Sequence, residues 1–225
     1  VLLPIQNPAK ISWKGSAGAE GYNIQRKNIF KGEWQTIAEN VSDARFQYRP
    51  LYNDKEAKIG KEYYYRVQAV NSAGCSNFSE PIGPVKVEFL SLIDEMQDFS
   101  QIYSKGGNIN LAKGNDRKTK EDTHLIEGHK GSSIVYKLLG NMKKCMIYSF
   151  FPDKVSDFKI FGSSDGMNFS HLKTEKKNYL RNSDLYDYWK PVLYTCSQSE
   201  MENLTYLKID FTGNAQISRV EIKYR

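Results

Sequence analysis

Residues 158–169 read FKIFGSSDGMNF, a pattern that predicts a β-strand ending in a tight turn. Two later stretches, YLKIDF at 206–211 and VEIKY at 220–224, have the same character. Apolar side chains recur at every second residue in such strands, so one face can be buried while the other contacts water. Gly166 supplies the positive φ that a tight reversal requires. These stretches therefore predict antiparallel β-sheet in the second half of the chain.

The composition predicts a folded chain of two domains. Its 225 residues give room for two ordinary domains of about 100–150 residues each. The 40% hydrophobic content and only seven prolines exclude disordered and collagen-like chains. Aromatic residues make up 13% of the chain, with 15 tyrosines, which favours β-sheet. No apolar run approaches the roughly 18 residues of a membrane span, so none is predicted.

The formal charge of +6 does not predict nucleic-acid binding, because Lys and Arg alternate with Asp and Glu along the chain. Cys75, Cys145 and Cys196 lack the close spacing of a zinc site. Cys145 and Cys196 both lie in strand-like runs, where burial as free thiols and a cross-sheet disulfide remain alternatives. A chain that opens at Val1 without an initiator Met is expected to be an excised fragment.

Residues 1–87 contain short strand-like runs separated by Gly, Asn and Asp, at 11–13, 21–26, 34–37, 46–48 and 63–70. The early Trp13, the pair Gly21–Tyr22 and the stretch GKEYYYRVQAVNSAG at 60–74 together resemble a fibronectin type III domain. The resemblance implies that Trp13 is a core residue and that the Tyr63 hydroxyl bonds back to the preceding loop. Residues 79–87, with two prolines, are predicted to form a last, edge strand.

Residues 88–225 contain six more strand-like runs, at 134–138, 145–151, 157–161, 189–196, 204–211 and 217–224. We expect long irregular loops at 106–130 and 174–188, and a short helical turn at 92–99 with an amphipathic pattern. The turn SSDG at 163–166, followed by YLKI and VEIKY, resembles the closing strands of a discoidin-like sandwich. The predicted fold class is therefore all-β. A fibronectin type III (Ig-like) sandwich in 1–87 is followed by a galactose-binding-like jelly-roll sandwich in 88–225.

No catalytic or metal site is predicted. Asp184 and Asp187 could form a glycosidase pair on paper, but acidic residues beside aromatics are common in loops. His124, His129 and His171 lack metal-ligand spacing, and no G-x-S-x-G motif occurs. We expect no cofactor. His124 and His129 share one loop with Glu121, Asp122 and Glu127, so a cation site stays the weaker alternative, and a structural calcium ion is otherwise unsupported.

One stretch has the composition of a sugar-binding loop. Sugars offer apolar C–H faces and many hydroxyls, so their sites combine aromatic rings with hydrogen-bonding side chains. That mixture occurs within eleven positions, 179–189. The candidate carbohydrate-binding residues are Tyr179, Arg181, Asp184, Tyr186, Tyr188 and Trp189. The alternative is that Tyr188 and Trp189 begin a strand and belong to the core.

The pair of resemblances implies a non-catalytic accessory region of a secreted polysaccharide-degrading enzyme. The first domain resembles those appended to bacterial glycoside hydrolases of the mannanase and cellulase kind, whose catalytic domain would lie upstream. The expected roles are spacing and carbohydrate binding, with a polysaccharide or glycan as partner. We expect a monomer that is secreted, periplasmic or on the cell surface. The alternatives are a purely structural spacer and an adhesion or receptor ectodomain that binds protein.

Overall fold

The protein is all-β, as the sequence predicts. The computed structural model describes residues 1–44, 49–113, 118–119, 123–152, 154–178, 189–196 and 201–225, and these form strands, turns and bends without a helix. Within those ranges no helix has the length and apolar content needed to cross a membrane. The chain divides into two compact units, Val1–Ser91 and Leu92–Arg225. The predicted identities of the two domains stay predictions.

The first unit is built on one five-stranded antiparallel sheet. Its strands are β1 (Gly21–Asn28), β2 (Lys31–Ala38), β3 (Glu62–Asn71), β4 (Gly74–Cys75) and β5 (Ile82–Lys86). The order is β2-β1-β3-β4, with β5 also pairing β3, so the predicted last strand is formed. The predicted run 11–13 makes only isolated bridges. The predicted run 46–48 lies outside the described residues.

The core of the first unit follows the alternation of β1 and β3. Tyr63, Tyr65 and Val67 point to the buried face, and Trp13 packs against Tyr22 with ring centroids 5.1 Å apart. Trp13 is 5% exposed, as expected of a core residue. The Tyr63 hydroxyl accepts a hydrogen bond from the Lys58 backbone N–H at 3.4 Å, which is the expected contact with the preceding loop.

A buried polar network sits inside this unit. Asp54 is 1% exposed, and its carboxylate oxygens accept hydrogen bonds from Arg26 Nη1 at 2.8 and 2.9 Å. The Tyr65 hydroxyl donates to Asp54 Oδ2 at 2.9 Å. The Tyr63 ring covers the Arg26 guanidinium at 4.8 Å. Burial, followed by the Asp54 charge and hydrogen bond, raises the pKa of Tyr65.

We expect the stability of the first unit to fall at alkaline pH. Burial and then the Asp54 charge raise the pKa of Tyr52 to about 12, from 10.0. Tyr52 therefore holds its hydroxyl proton more tightly in the folded state than in the unfolded state. The resulting contribution of Tyr52 to the free energy of unfolding is fully present below pH 10. It is lost as the pH rises from 10 toward 12. Melting temperatures at pH 8, 10 and 11 should fall less steeply in Tyr52→Phe; an identical decline in the variant would contradict this assignment.

The strands from residue 90 onward form two sheets. The five-stranded sheet has the order β13-β12-β16-β10-β7, and the seven-stranded sheet has the order β14-β15-β11-β17-β9-β8 with β6 also pairing β17. The strands are β6 (Leu90–Asp94), β7 (Ser104–Gly106), β8 (Ile109–Lys113), β9 (His124–Gly128), β10 (Ser133–Lys137), β11 (Met142–Phe151), β12 (Phe158–Ser163), β13 (Ser170–His171), β14 (Thr174–Asn178), β15 (Lys190–Cys196), β16 (Tyr206–Phe211) and β17 (Ala215–Tyr224).

The two sheets enclose one common core, which makes the second unit a β-sandwich. Phe158 of the five-stranded sheet meets Tyr194 of the seven-stranded sheet edge to face, with centroids 5.3 Å apart. Ile209 from the first sheet and Ile147 and Val220 from the second are fully buried in the same cluster. The inward faces of both sheets are therefore occupied by packing, and ligand contacts must come from loops or outward faces.

Three predictions for this unit were wrong. Strands β8 and β9 lie in the expected loop 106–130, and β14 lies in the expected loop 174–188. The expected helical turn at 92–99 is strand β6 followed by bends. Asp94 Oδ1 accepts a hydrogen bond from the Met96 N–H at 2.9 Å, and Met96 has a φ of 54°. A left-handed residue at this position ends any helical geometry.

A disulfide joins Cys145 on β11 to Cys196 on β15. The two residues lie directly opposite each other in neighbouring strands, with Cα atoms 5.2 Å apart, so the bond lies within one sheet rather than between sheets. Both residues are at most 1% exposed. Cys75, in the first unit, is a free and exposed cysteine.

Candidate functional site

Most of the predicted sugar-binding loop lies outside the described residues. Tyr179, Arg181, Asp184, Tyr186 and Tyr188 belong to that part, as does Asp187. Trp189 is described and immediately precedes β15, where its N–H donates to the Lys118 carbonyl at 3.0 Å. Its side chain is half-buried and does not belong to the buried core of the sandwich. The loop site as a whole stays a prediction.

The outward face of the five-stranded sheet carries a second group of aromatic and basic side chains. In β16 the residues Leu207, Ile209 and Phe211 are buried, while the alternating Tyr206 and Lys208 point outward. Their neighbours on β12 and β10 are fixed by register, with Phe161 opposite Lys208 and Lys137 opposite Tyr206. We call this surface the aromatic–lysine face, and it comprises Tyr103, Lys137, Phe161, Phe169, His171, Tyr206 and Lys208.

One half of the aromatic–lysine face is a lysine between two tyrosines. The rings of Tyr103 and Tyr206 meet edge to face with centroids 5.7 Å apart. Lys137 Nζ lies 5.3 Å from the Tyr103 centroid and 5.6 Å from the Tyr206 centroid. The interaction of its ammonium with the Tyr206 hydroxyl is the first cause of the raised pKa of Lys137. Tyr103 remains 59% exposed, so its ring is open to a ligand.

The other half repeats the arrangement with phenylalanines. Lys208 Nζ lies 5.6 Å from the Phe161 centroid and 5.8 Å from the Phe169 centroid. The imidazole of His171, on the edge strand β13, meets the Phe161 ring edge to face at 5.6 Å. Rings and cations therefore alternate across three neighbouring strands, an arrangement that offers both flat apolar surface and hydrogen-bond donors.

The predicted turn after β12 forms and borders this face. Asp165 Oδ1 accepts hydrogen bonds from the backbone N–H groups of Met167 and Asn168, both at 2.8 Å, and these bonds hold the pKa of the Asp165 carboxyl well below its usual range. Gly166 has a φ of 76°, and a Cβ on it would lie only 2.9 Å from the Tyr206 ring. The turn thus forms one boundary of the aromatic–lysine face, and its geometry requires glycine at position 166.

The aromatic–lysine face was missed by sequence reasoning. The available signal was the outward set of the alternating strands, since aromatic residues at positions expected to be polar are typical of binding surfaces. Tyr103 and Phe169 could not be placed in this way, because both reach the sheet from loops. Their positions depend on the turn geometry and on pairing between distant strands.

The other chemical candidates are structural contacts. His129 Nδ1 lies 2.8 Å from Asn214 Oδ1, and His124 Nδ1 lies 3.0 Å from the Thr123 hydroxyl. Asp157 forms an ion pair with Lys176 at 2.5 Å and accepts a hydrogen bond from the Tyr194 hydroxyl. Among the described residues, no group of three His, Cys, Asp or Glu side chains could hold a metal ion.

No family model matches the chain. An amylopullulanase of Thermoanaerobacterium thermosulfurigenes is 35% identical over 71 residues, which cover 30% of this chain and 4% of that protein. An amylopullulanase of Thermoanaerobacterium saccharolyticum is 36% identical over 64 residues, again covering 4% of that protein. The chain thus spans about 4% of the length of the curated relatives it matches.

Among solved structures, CsCBM6-3 from Clostridium stercorarium in complex with cellobiose is similar at 15% identity and a TM-score of 0.37. The match covers 57% of this chain and 90% of that one. CBM51-2 with the INT domains of Clostridium perfringens ZmpB, in complex with GlcNAc, matches at 15% identity and a TM-score of 0.33. That match covers 73% of this chain and 38% of the other.

Proposed function

We propose that this chain is a non-catalytic, carbohydrate-binding accessory region of a secreted polysaccharide-degrading enzyme. The observation that carries the proposal is the aromatic–lysine face, on which rings and ammonium groups alternate over neighbouring strands. The similarity to a short part of two amylopullulanases supports the link to polysaccharides. The catalytic domain of the parent enzyme would lie in another part of that longer protein.

The chemistry of the face suits sugars. The apolar C–H face of a pyranose ring stacks on an exposed aromatic ring, and its hydroxyls accept hydrogen bonds from nearby donors. Tyr103 and Tyr206 supply the rings, and the Lys137 ammonium between them supplies the donor. Holding a polysaccharide in this way raises its effective concentration at an attached catalytic domain without changing the reaction.

The interior of the second unit supports a binding rather than a catalytic role. The space between its sheets is filled by one apolar cluster, so catalytic groups would have to lie on the outside of the sandwich. The buried disulfide between Cys145 and Cys196 fits an oxidising compartment, in agreement with a secreted, periplasmic or surface location. We propose the predicted loop at 179–189, with Trp189 at its end, as a second contact region.

We expect Tyr206→Ala to weaken binding of a recognised polysaccharide at least about tenfold, because it removes a stacking ring and the aromatic contact that positions Lys137. Affinity electrophoresis in gels that contain pullulan, galactomannan, xylan or polygalacturonate, followed by calorimetric titration, measures the effect. Phe30→Ala is the matched control, since Phe30 is an 81% exposed aromatic residue of the first unit. Melting temperatures confirm that each variant is folded.

Several outcomes separate the alternatives. Loss of retention in Tyr206→Ala but not in Phe30→Ala supports the aromatic–lysine face. Loss in Trp189→Ala alone moves the site to the loop and overturns the assignment to the sheet face. If the unmodified protein is retarded by no polysaccharide, the carbohydrate-binding proposal fails and a spacer role takes its place.

A further inference from the structure

The charges on the aromatic–lysine face and its margins are predominantly positive. Lys137, Lys159 and Lys208 lie in the outward rows of the five-stranded sheet, and Lys137 and Lys159 are exposed. Asp210 is the acidic residue in the outward rows of β16. A lysine that pairs with a carboxylate on a neighbouring strand has its charge neutralised. Only a lysine without such a partner offers its positive charge to a ligand.

The single carboxylate in these rows already pairs with Lys208. Asp210 Oδ1 lies 3.1 Å from Lys208 Nζ, and the register places Asp210 opposite Lys159. The carboxylate of Asp165, at the margin, accepts hydrogen bonds from its own turn, including one from Asn168 Nδ2 at 2.7 Å. Neither acid is therefore available to neutralise Lys137.

Among the described residues, no carboxylate forms an ion pair with Lys137. This lysine is exposed on β10, and its contacts in the described part of the chain are the rings of Tyr103 and Tyr206 and the Tyr206 hydroxyl. These aromatic contacts hold the ammonium in place without cancelling its charge. Lys208 is its diagonal neighbour across the ladder, at a backbone separation of about 7–8 Å.

We propose that the aromatic–lysine face selects acidic polysaccharides, with Lys137 as the residue that recognises a carboxylate or sulfate group of the glycan. This inference rests on the proposed carbohydrate-binding function and names the class of sugar at the same site. An acidic sugar places its ring on the tyrosines and its anionic group on the ammonium between them. Hydrogen bonds between charged partners are about twice as strong as neutral ones, so the acidic form gains over its neutral counterpart.

The test compares polysaccharides that share a backbone and differ in whether it carries an acidic group. Polygalacturonate is used in its de-esterified and its fully methyl-esterified form, and dextran sulfate is compared with dextran. We expect the acidic member of at least one pair to bind about tenfold more tightly, and we expect this preference to shrink in 0.5 M salt, where the Debye length is about 4 Å. The pair that shows the preference tells whether the recognised group is a carboxylate or a sulfate.

Two variants show whether the preference comes from this face. Lys137→Gln keeps a hydrogen-bond donor but removes the charge, so the acidic and neutral members of the pair should bind it with similar affinity. Lys144→Gln, which removes an exposed lysine of β11 in the other sheet, should leave the preference unchanged. Equal losses in the two variants would show that net charge alone causes the preference, and would overturn the inference.

The failure of the inference is distinguishable from the failure of the proposed function. Binding of neutral polysaccharides that depends on Tyr206, with no preference for either acidic partner, overturns acid selection and leaves the carbohydrate-binding function standing. Absence of binding to every member of both pairs and to the neutral polysaccharides tested above overturns both.

Discussion

Asp54→Ala is expected to lower the free energy of unfolding of the first unit by about 3–5 kcal/mol, the cost of breaking a buried ion pair by removing one partner. The carboxylate is 1% exposed and accepts hydrogen bonds from Arg26, from the Tyr65 hydroxyl and from the Glu56 N–H. Removing it leaves a guanidinium whose side chain is 11% exposed and a fully buried hydroxyl without their acceptor. A loss of this size is a large part of the stability of a small domain.

A double-mutant cycle isolates the cause of this loss. Arg26→Met keeps an apolar stem and removes the guanidinium that lies over the Tyr63 ring. If the unpaired guanidinium causes most of the destabilisation, the double variant Arg26→Met/Asp54→Ala will lose less stability than the sum of the losses in the two single variants. Denaturant unfolding of the four proteins measures the coupling free energy. Additive losses would show that the ion pair contributes no coupling and that the effect of Asp54→Ala comes from the backbone and Tyr65 contacts.

The sequence predicted the strands that carry several large apolar residues at inward positions. β11, β16 and β17 each place apolar residues in the common core, and all three were found near their predicted bounds. The edge strand β14 reads TEKKN and is mostly exposed, so it carries no apolar pattern that could be recognised. It exists because its backbone pairs with β15, which is a property of the sheet rather than of the local sequence.

The same reasoning explains what was missed at the candidate site. The outward positions of β10, β12 and β16 are set by register, and register between distant strands is not visible in one stretch of sequence. Lys137 and Tyr206 are 69 residues apart (206 − 137) in the sequence, yet they face each other directly. The loop at 179–189 could be put forward as a candidate because its aromatic and polar residues are contiguous, whereas the sheet face is assembled from separate strands.

The second large effect is expected from the disulfide in the seven-stranded sheet. Replacing both Cys145 and Cys196 with alanine should lower the free energy of unfolding of the second unit by about 4 kcal/mol, because the bond closes a loop with a sequence separation of 51 residues. Two buried sulfur atoms are lost at the same time, at positions that are at most 1% exposed, and the cavity adds to the cost.

Cys75→Ala is the matched control, because Cys75 is exposed and free, and its change should alter stability by less than about 0.5 kcal/mol. Thiol titration of the unfolded, unreduced protein should find one reactive group, and titration after reduction should find all three cysteines. The melting temperature of the second unit should fall on reduction in the unmodified protein and stay constant in the double variant. Three reactive thiols before reduction would contradict the disulfide. If the bond is present and reduction leaves the melting temperature unchanged, β11 and β15 are held together by their ladder and core packing alone, and the loop-closure argument fails.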